Sequence, residues 1–158
     1  MALTTIANKV TASLIQLLQE KMHNDIPLTQ HMGVVVTDYT PGHLTLAAPL
    51  DKNINHRHTA FGGSIASLAT LVGWGLVYLE LYQRQIDARV VIQHGSADYL
   101  RPIDDAFTAT CCIDEEAHFD RFITTLIRRH IARIKLTSHV HCHDVVAATF
   151  KGSFVAKT

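Results

Sequence analysis

The stretch HTAFGGSIASLATLVGWG, which covers residues 58–75, decides how this chain is expected to fold. It places Gly62 and Gly63 directly before a long run of small and apolar residues, and no charged residue occurs from Thr59 to Leu79. Such a run is typical of a helix that is apolar on every side, and a helix of that kind has to be buried. We therefore predict a central helix over residues 63–83 that begins at the glycine pair.

The composition limits the classes of protein to consider. The chain has 158 residues, which suits one domain, 1–158, with a substantial core. Its 14 basic residues balance its 14 acidic ones, so no overall positive field is expected to attract nucleic acid. Cys111, Cys112 and Cys142 do not suggest a set of disulfides, and the N-terminus does not resemble a signal peptide. We therefore predict a cytoplasmic protein that has no nucleic-acid partner.

The uncharged stretch also raises the alternative of a membrane protein. From Thr59 to Leu79 it is long enough to cross a bilayer. However, glycine, serine and threonine residues interrupt it throughout, and no second stretch of this kind occurs in the sequence. The centre of a globular core accounts for it equally well, so we predict that the protein has no membrane partner.

The pattern on both sides of the central helix predicts mostly strands. Residues 4–23 repeat apolar positions at helical spacing, within an N-terminal segment, 1–25, that we expect to pack on the domain. A sheet must then curl around the central helix, or a second copy must cover it, because nothing else can bury so apolar a surface. Strands are predicted for 31–39, 43–50, 88–103 with a bend at Gly95, 106–113, 132–142 and 145–156, while 115–130 is ambiguous, with helix favoured at its start.

This order of elements resembles the hotdog fold of acyl-thioester enzymes. The motif N-x-x-x-x-x-F-G-G-S from Asn55 to Ser64 carries most of the resemblance, together with GWG at 73–75, YLRPI at 99–103 and FKGSFVA at 150–156. The closest likeness is to the thioesterase-like domain that some bacteria fuse to GNAT acetyltransferases. The resemblance implies an α+β fold, in which a curled antiparallel sheet of five to six strands wraps around a long central helix.

The resemblance also implies an enzyme without a cofactor that acts on acyl-CoA or on an acyl carrier protein. A homodimer or a tetramer is expected, because one sheet cannot fully cover a helix this apolar, and hotdog enzymes thread the pantetheine arm of the substrate between subunits. A helix begins with unpaired N–H groups and a positive partial charge. The N–H groups of Gly62 and Gly63 can therefore hold a thioester oxygen as it becomes negative, and one such donor commonly lowers a barrier by about 3 kcal/mol.

The predicted site lacks an evident acid or base. Hydrolysis needs a water molecule that a carboxylate or a histidine makes nucleophilic. Thioesterases that resemble the phenylacetate-pathway enzyme carry Asp or Glu seven residues past the second glycine, and Thr70 stands there in this chain. A neutral hydroxyl cannot accept the proton, and the sequence offers no carboxylate between Arg57 and Glu80.

Three functions remain open at this point. In thioester hydrolysis, Asn55 and Ser64 would orient a water molecule, and His58 or a group from a second subunit would act as the base. In decarboxylation of a malonyl carrier protein, which is ascribed to the GNAT-fused domains, no base is needed. The glycine amides and the Asn55 carboxamide would then hold the enolate oxygen. The third function is an acyl-thioester-binding module without turnover.

Four further residues are candidates for substrate binding. Phe61 and Tyr99 belong to the motifs that carry the resemblance, and Trp74 on the central helix is a candidate for lining an acyl tunnel. Arg101 is a candidate for meeting a CoA phosphate or an acidic carrier protein.

The histidines raise the question of a metal. The sequence HVHCH places His139, His141 and His143 on one face of a predicted strand, with neighbours about 7 Å apart. Two of them can share a zinc ion, but a third on the same straight strand reaches it poorly. We predict a polar sheet face or a dimer edge here, and no metal site.

Overall fold

The computed structural model describes residues 2–158 and the side chains of residues 8–158. The helices and strands form an α+β arrangement. In chain order they are α1 (Ala2–Asp25), α2 (Pro27–His31), β1 (Val35–Thr40), β2 (His43–Ala48), α3 (Gly62–Gln83), β3 (Arg89–Tyr99), β4 (Phe107–Cys112), α4 (Glu116–Arg129), β5 (Ile131–Cys142) and β6 (Val145–Lys157).

The six strands form one antiparallel sheet in the order β1-β2-β4-β5-β6-β3. The sheet curls around α3, which contacts β2, β3, β4, β5 and β6. Along β5 the side chains alternate between exposed and buried, because successive residues of a strand point to opposite faces and only one face meets the helix. The predicted hotdog fold is confirmed.

Helix α3 is the core of the fold. Its length and mean hydropathy of 1.5 would suit a membrane span, but 67% of that apolar window is buried inside the protein. Gly73 explains how the helix approaches the sheet so closely, because a Cβ at this position would lie only 2.6 Å from the Phe154 ring. The uncharged stretch of the sequence is therefore a buried core helix.

Helix α1 packs against β1 at one edge of the sheet. The side chain of Gln19 bonds to main-chain groups at this edge, as a neighbouring strand would. Its Nε2 donates to the carbonyl of Val34 (2.9 Å), and its Oε1 accepts from the N–H of Val36 (2.7 Å). The Nε2 atom of His23 lies 2.9 Å from the same Val34 carbonyl. An edge strand otherwise exposes unpaired main-chain groups, so these contacts protect the edge and join α1 to the sheet.

Two strand boundaries differ from the prediction. The first strand starts at Val35 rather than at residue 31, because Pro27 begins the short helix α2, where its fixed φ angle suits a first helical turn. Strand β3 ends at Tyr99 rather than at residue 103, because the N–H groups of Leu100 and Arg101 both turn to the carbonyl of Ala147.

For two further regions the prediction from the sequence was only partly right. The irregularity expected at Gly95 falls between Ile92 and His94, and Gly95 itself pairs with Gly152. The ambiguous segment 115–130 is helical over nearly its whole length, as α4, and buries Phe119 against the fold.

The prediction that three histidines share one strand face was wrong for His143. Strand β5 ends at Cys142, which pairs with Val145, so His143 and Asp144 form the two-residue turn of the hairpin. Both turn residues have left-handed backbones, with φ of 50° and 59°. The rings of His139 and His141 do lie near each other, with centroids 6.5 Å apart.

Candidate functional site

The loop before α3 is held by main-chain hydrogen bonds from two directions. The N–H of Phe61 donates to the carbonyl of Asn53 (2.7 Å), and the N–H of Ala60 donates to the carbonyl of Ile103 (2.8 Å). The helix then begins at Gly62, with Phe61 as its N-cap residue in an extended conformation. The start of the helix is thus positioned by the fold.

The first turn of α3 presents free hydrogen-bond donors. The N–H of Ile65 donates to the carbonyl of Phe61 (3.1 Å), as expected for the first bond of a helix. The N–H groups of Gly62, Gly63 and Ser64 make no hydrogen bond to any residue that the structure describes, and no side chain there caps them. Three donors at the positive end of the helix dipole can therefore hold an anionic oxygen.

Two aromatic residues flank these donors. The hydroxyl of Tyr99 donates to the carbonyl of Gly62 (3.0 Å), and its ring lies 3.6 Å from the position that a Gly62 Cβ would take. The ring of Phe61 lies so close to Gly63 that a Cβ there would collide with it. Both aromatic side chains are more than half exposed. The structure thus brings together four of the predicted site residues.

The side chain of Asn55 is used within its own loop. Its Oδ1 accepts from the N–H groups of Arg57 (2.8 Å) and Thr59 (3.2 Å), while its Nδ2 donates to the hydroxyl of Thr59 (3.0 Å). A carboxamide bonded in this way closes the turn that leads to the glycines. The structure thus gives Asn55 a positioning role, and its predicted contact with water or enolate stays a prediction.

Asn53, two residues earlier, was not assigned to the site from the sequence. It is buried, and its Nδ2 donates to the carbonyls of Met32 (2.8 Å) and Pro49 (2.7 Å). Its Oδ1 is buried without a hydrogen-bond partner among the described residues. The signal available from sequence was a second asparagine in the same polar loop, but only the fold shows that it is the one in the interior.

The remaining candidates, His58, Ser64 and Arg101, are close in sequence to the start of α3 or to Tyr99. His58 is exposed and has a left-handed backbone with φ of 61°, and Ser64 is half-buried in the first turn of α3. Arg101 is exposed two residues after Tyr99, and its N–H is held by the carbonyl of Ala147 (3.1 Å).

An apolar cavity of about 350 Å³ follows the glycines along α3. Thr70, Trp74 and Ser67 line it from the helix, and Ile92 lines it from β3; Ala66, Leu71, Ile26 and Leu28 complete the lining. None of these residues is charged, so the structure places the Thr70 hydroxyl in an uncharged surrounding.

A second cavity of about 880 Å³ continues beyond Trp74. Trp74 lines both cavities, and its Nε1 donates to the carbonyl of Val90 (3.0 Å). The ring of Trp74 stacks on Tyr78 with centroids 5.5 Å apart, and Tyr78 stacks on Tyr82 at 6.2 Å. One side of α3 thus carries a row of aromatic rings beside β3.

The buried carboxylate of α3 lies at the opposite end of the helix. Glu80 is 3% exposed and accepts hydrogen bonds from the Tyr39 hydroxyl (2.8 Å), the N–H of Gly42 (2.7 Å) and the Arg84 guanidinium (2.7 Å). At 1.5 Å per residue it lies about 26 Å along the helix from Gly63. Glu80 therefore cannot serve as a base at the glycines.

Comparison with known proteins identifies the family. Residues 15–158 match the YiiD_C family, which is described as "Putative thioesterase (yiiD_Cterm)". The chain belongs to this family. Membership in the YiiD_C family confirms the predicted likeness to the thioesterase superfamily and supports a thioesterase-like function, while the likeness to GNAT-fused domains in particular stays a prediction.

Solved structures agree with the assignment to the YiiD_C family. A Shewanella oneidensis protein described as a "putative thioesterase" is 30% identical, with a TM-score of 0.84 over 93% of this chain and 99% of its own. A Chlorobaculum tepidum protein of unknown function is 27% identical, with a TM-score of 0.89 over 94% and 96% of the two chains. The E. coli PaaI protein from the phenylacetic acid degradation operon is 13% identical, with a TM-score of 0.66 over 92% and 94%, which is a likeness of fold alone.

Proposed function

We propose that this protein hydrolyses an acyl thioester of CoA or of an acyl carrier protein in the cytoplasm. The observation that carries the proposal is the set of N–H groups at the start of α3 that bond to no described residue, flanked by Phe61 and Tyr99. Water attacks the carbonyl carbon, and the N–H groups of Gly62 and Gly63 hold the oxygen as it becomes negative. The C–S bond then breaks, and the products are a carboxylic acid and a free thiol.

The acyl group occupies the uncharged cavity along α3. The cavity begins one turn after the glycines, at Ala66 and Ser67, and extends to Trp74. A volume of about 350 Å³ suits a short or medium acyl chain, with Trp74 at its far end. Arg101 is exposed two residues after Tyr99, and we assign to it the contact with a phosphate of CoA or with an acidic surface of a carrier protein.

The water molecule needs groups that orient and deprotonate it. We propose that the hydroxyl of Ser64, in the first turn of α3, orients the water molecule. His58 or a group of a second subunit accepts the proton of this water. Asn55 positions the loop before α3, because its carboxamide already bonds to Arg57 and Thr59. The Thr70 hydroxyl contacts the acyl group and accepts no proton.

We further propose that two copies pair along β3 to form a homodimer, which can pair again into a tetramer. In the part of the chain that the structure describes, β3 pairs only with β6, so its other edge is open. An open edge of eleven residues is a template for another strand. Both cavities border β3, so the second copy would close them and add its own groups to the site.

A panel of acyl-CoA and acyl-carrier-protein substrates tests the reaction, with both free thiol and CO2 measured. Hydrolysis predicts that thiol is released from a simple acyl thioester without CO2. The absence of both products with every acyl chain, despite binding of the thioester, would instead identify a binding module without turnover.

Decarboxylation of a malonyl carrier protein is a second candidate, favoured by the uncharged lining of the cavity around Thr70. In that reaction the bond to the carboxylate breaks, CO2 leaves, and the electron pair moves to the thioester oxygen held by Gly62 and Gly63. Protonation at carbon then gives an acetyl thioester. In the same panel this reaction releases CO2 from malonyl substrates and leaves the thioester intact, whereas hydrolysis releases thiol.

A further inference from the structure

Three metal-binding types of side chain meet at the surface, outside the residues assigned to the glycine site. Asp104, Cys142 and His143 bring a carboxylate oxygen, a thiol sulfur and an imidazole nitrogen within 4.8 Å of one another. The Nε2 of His143 lies 2.8 Å from Oδ1 of Asp104, and the Sγ of Cys142 lies 3.8 Å from the same oxygen. Asp104 follows β3, whereas the other two residues lie at the turn between β5 and β6, so the fold brings them together.

We propose that this cluster binds a divalent transition-metal ion, for which zinc is the best match. Zinc binds thiolate, imidazole and carboxylate at about 2.0–2.3 Å in a tetrahedron, which places ligand atoms about 3.3–3.8 Å apart. The two measured separations, 2.8 Å and 3.8 Å, are within about half an ångström of that range. Calcium and magnesium prefer oxygen ligands alone, so a set with sulfur and nitrogen favours zinc.

The position of the cluster suits the entry of an ion. The side chains of His143 and Asp104 are 60% and 69% exposed, so an ion and a fourth ligand from water can reach them. The sulfur of Cys142 comes from a buried residue at the end of β5. On binding, the Cys142 thiol releases its proton, and His143 binds through Nε2 with its ring proton on Nδ1.

The backbone at the turn is a second observation. A two-residue hairpin turn with two left-handed residues strongly prefers Asn-Gly or Asp-Gly, yet His143 and Asp144 stand here with φ of 50° and 59°. A bulky residue costs free energy in this conformation. A role of the imidazole as a metal ligand would explain why His143 occupies this unfavourable conformation.

An ion at this position would also connect two segments near the glycine site. Asp104 follows Ile103, whose carbonyl accepts the N–H of Ala60 just before the start of α3. The ion would tie the β5–β6 turn to this loop. The metal site does not depend on the proposed hydrolysis, and either can fail without the other.

Cobalt titration of the full chain tests the proposal, because a thiolate bound to Co²⁺ gives a charge-transfer absorption band in the near ultraviolet. We expect one Co²⁺ per chain, displaced by Zn²⁺, and loss of the band in Cys142→Ser. Cys112→Ser is the matched control and should keep the band, because Cys112 lies next to a different histidine, with its Sγ 2.9 Å from Nδ1 of His43.

A second variant separates metal binding from folding. His143→Gly removes the imidazole and supplies the residue that a left-handed turn prefers, so the metal-free variant should melt at or above the wild-type temperature. Loss of a group that merely supports a ligand costs about 10- to 100-fold in metal affinity, so loss of the ligand itself should cost at least as much. The rise in Tm that zinc causes in the wild type should disappear.

Three results would overturn the proposal. The first is the absence of a charge-transfer band in the wild type. The second is a band that survives Cys142→Ser and is lost in Cys112→Ser. The third is a zinc-dependent rise in Tm that is as large in His143→Gly as in the wild type.

Discussion

Gly62 and Gly63 are neighbours in the chain, but they meet different surroundings. A Cβ at Gly63 would collide with the ring of Phe61, whereas a Cβ at Gly62 would make an ordinary contact of 3.6 Å with the ring of Tyr99. The fold therefore tolerates a side chain at the first glycine. Packing does not require the absence of a Cβ at that position, and under the proposed function this absence lets the thioester oxygen approach the N–H groups.

Gly62→Ala should therefore separate activity from folding. We expect a melting temperature close to that of the wild type, because the new methyl group fits beside Tyr99. We expect kcat/KM for acyl thioesters to fall about 100-fold, since the methyl group keeps the thioester oxygen away from the N–H donors. A folded Gly62→Ala protein with unchanged kcat/KM would remove these donors from the mechanism.

His58 combines an unfavourable backbone with an exposed imidazole. Its φ of 61° costs a non-glycine residue about 1–2 kcal/mol. A glycine at this position would avoid that cost, but it would lose more conformational entropy on folding, which offsets part of the gain. We expect His58→Gly to raise the free energy of unfolding by up to about 1 kcal/mol in urea denaturation. His58→Ala keeps the Cβ and removes only the ring, so it serves as the control.

The same pair of variants tests whether His58 acts as the base. If it does, both variants lose activity equally, because both lack the imidazole. If activity is retained in both, the base comes from another group, and the stability prediction is unaffected.

At the scale of elements, the far end of α3 is fastened by a buried polar network. Glu80 joins the helix to Tyr39 on β1 and to the N–H of Gly42 in the following turn. It also pairs with Arg84, whose guanidinium lies 5.1 Å from the centre of the Phe119 ring on α4. A buried carboxylate is stable only with such partners, so the network fixes α3 against the first hairpin.

The hydroxyl of Tyr39 should make stability depend on alkaline pH. Burial, and then its hydrogen bond to Glu80, raise the pKa of Tyr39 well above the ordinary 10.0. The unfolded chain therefore loses this proton at lower pH than the folded chain. The contribution is fully present below about pH 10 and is lost as the pH rises above that value.

The urea midpoint of the wild type should fall as the pH rises above about 10, and Tyr39→Phe should reduce this slope. At neutral pH the same variant should lose about 1–3 kcal/mol, because it removes a partner of the buried Glu80. Tyr82→Phe, at an exposed position on α3, is the matched control. An alkaline slope that is identical in Tyr39→Phe would contradict the prediction.

At the scale of the whole molecule, the free edge of β3 and the neighbouring surface of α3 form an open side of the fold over the described residues. Val91 and Ile92 on β3 are exposed although they are apolar, and both cavities open beside this strand. Apolar exposure next to an unpaired strand edge is typical of an interface between copies. The active unit proposed above is therefore the dimer.

Ile92→Arg should disrupt the proposed dimer, because it buries a charge beside the apolar cavity that Ile92 lines. In sedimentation experiments we expect the wild type to be a dimer and the variant to be a monomer with reduced activity. Ile127→Arg, on the exposed face of α4, is the matched control and should stay dimeric. A wild type that is monomeric at micromolar concentration would contradict the prediction.

Local patterns in the sequence were sufficient for most elements. The uncharged run from 59 to 79 predicted α3, and alternation predicted the strands, because helices and sheets repeat over a few neighbouring residues. The glycine pair predicted the helix start for the same reason. The order of these elements, with the motifs around FGGS, also carried the resemblance to thioesterases.

Other features depend on partners that are distant in the chain, so no local pattern could predict them. Asn55 is a motif residue, but only the folded loop shows that its carboxamide bonds to Arg57 and Thr59. Likewise, His143 was expected on a strand face, and only the register of β5 with β6 places it in the turn beside Asp104. The sequence by itself determined most of the elements and the glycine turn, because these depend on neighbours. The tertiary structure alone decided which side chains meet, because that depends on strand register and helix packing.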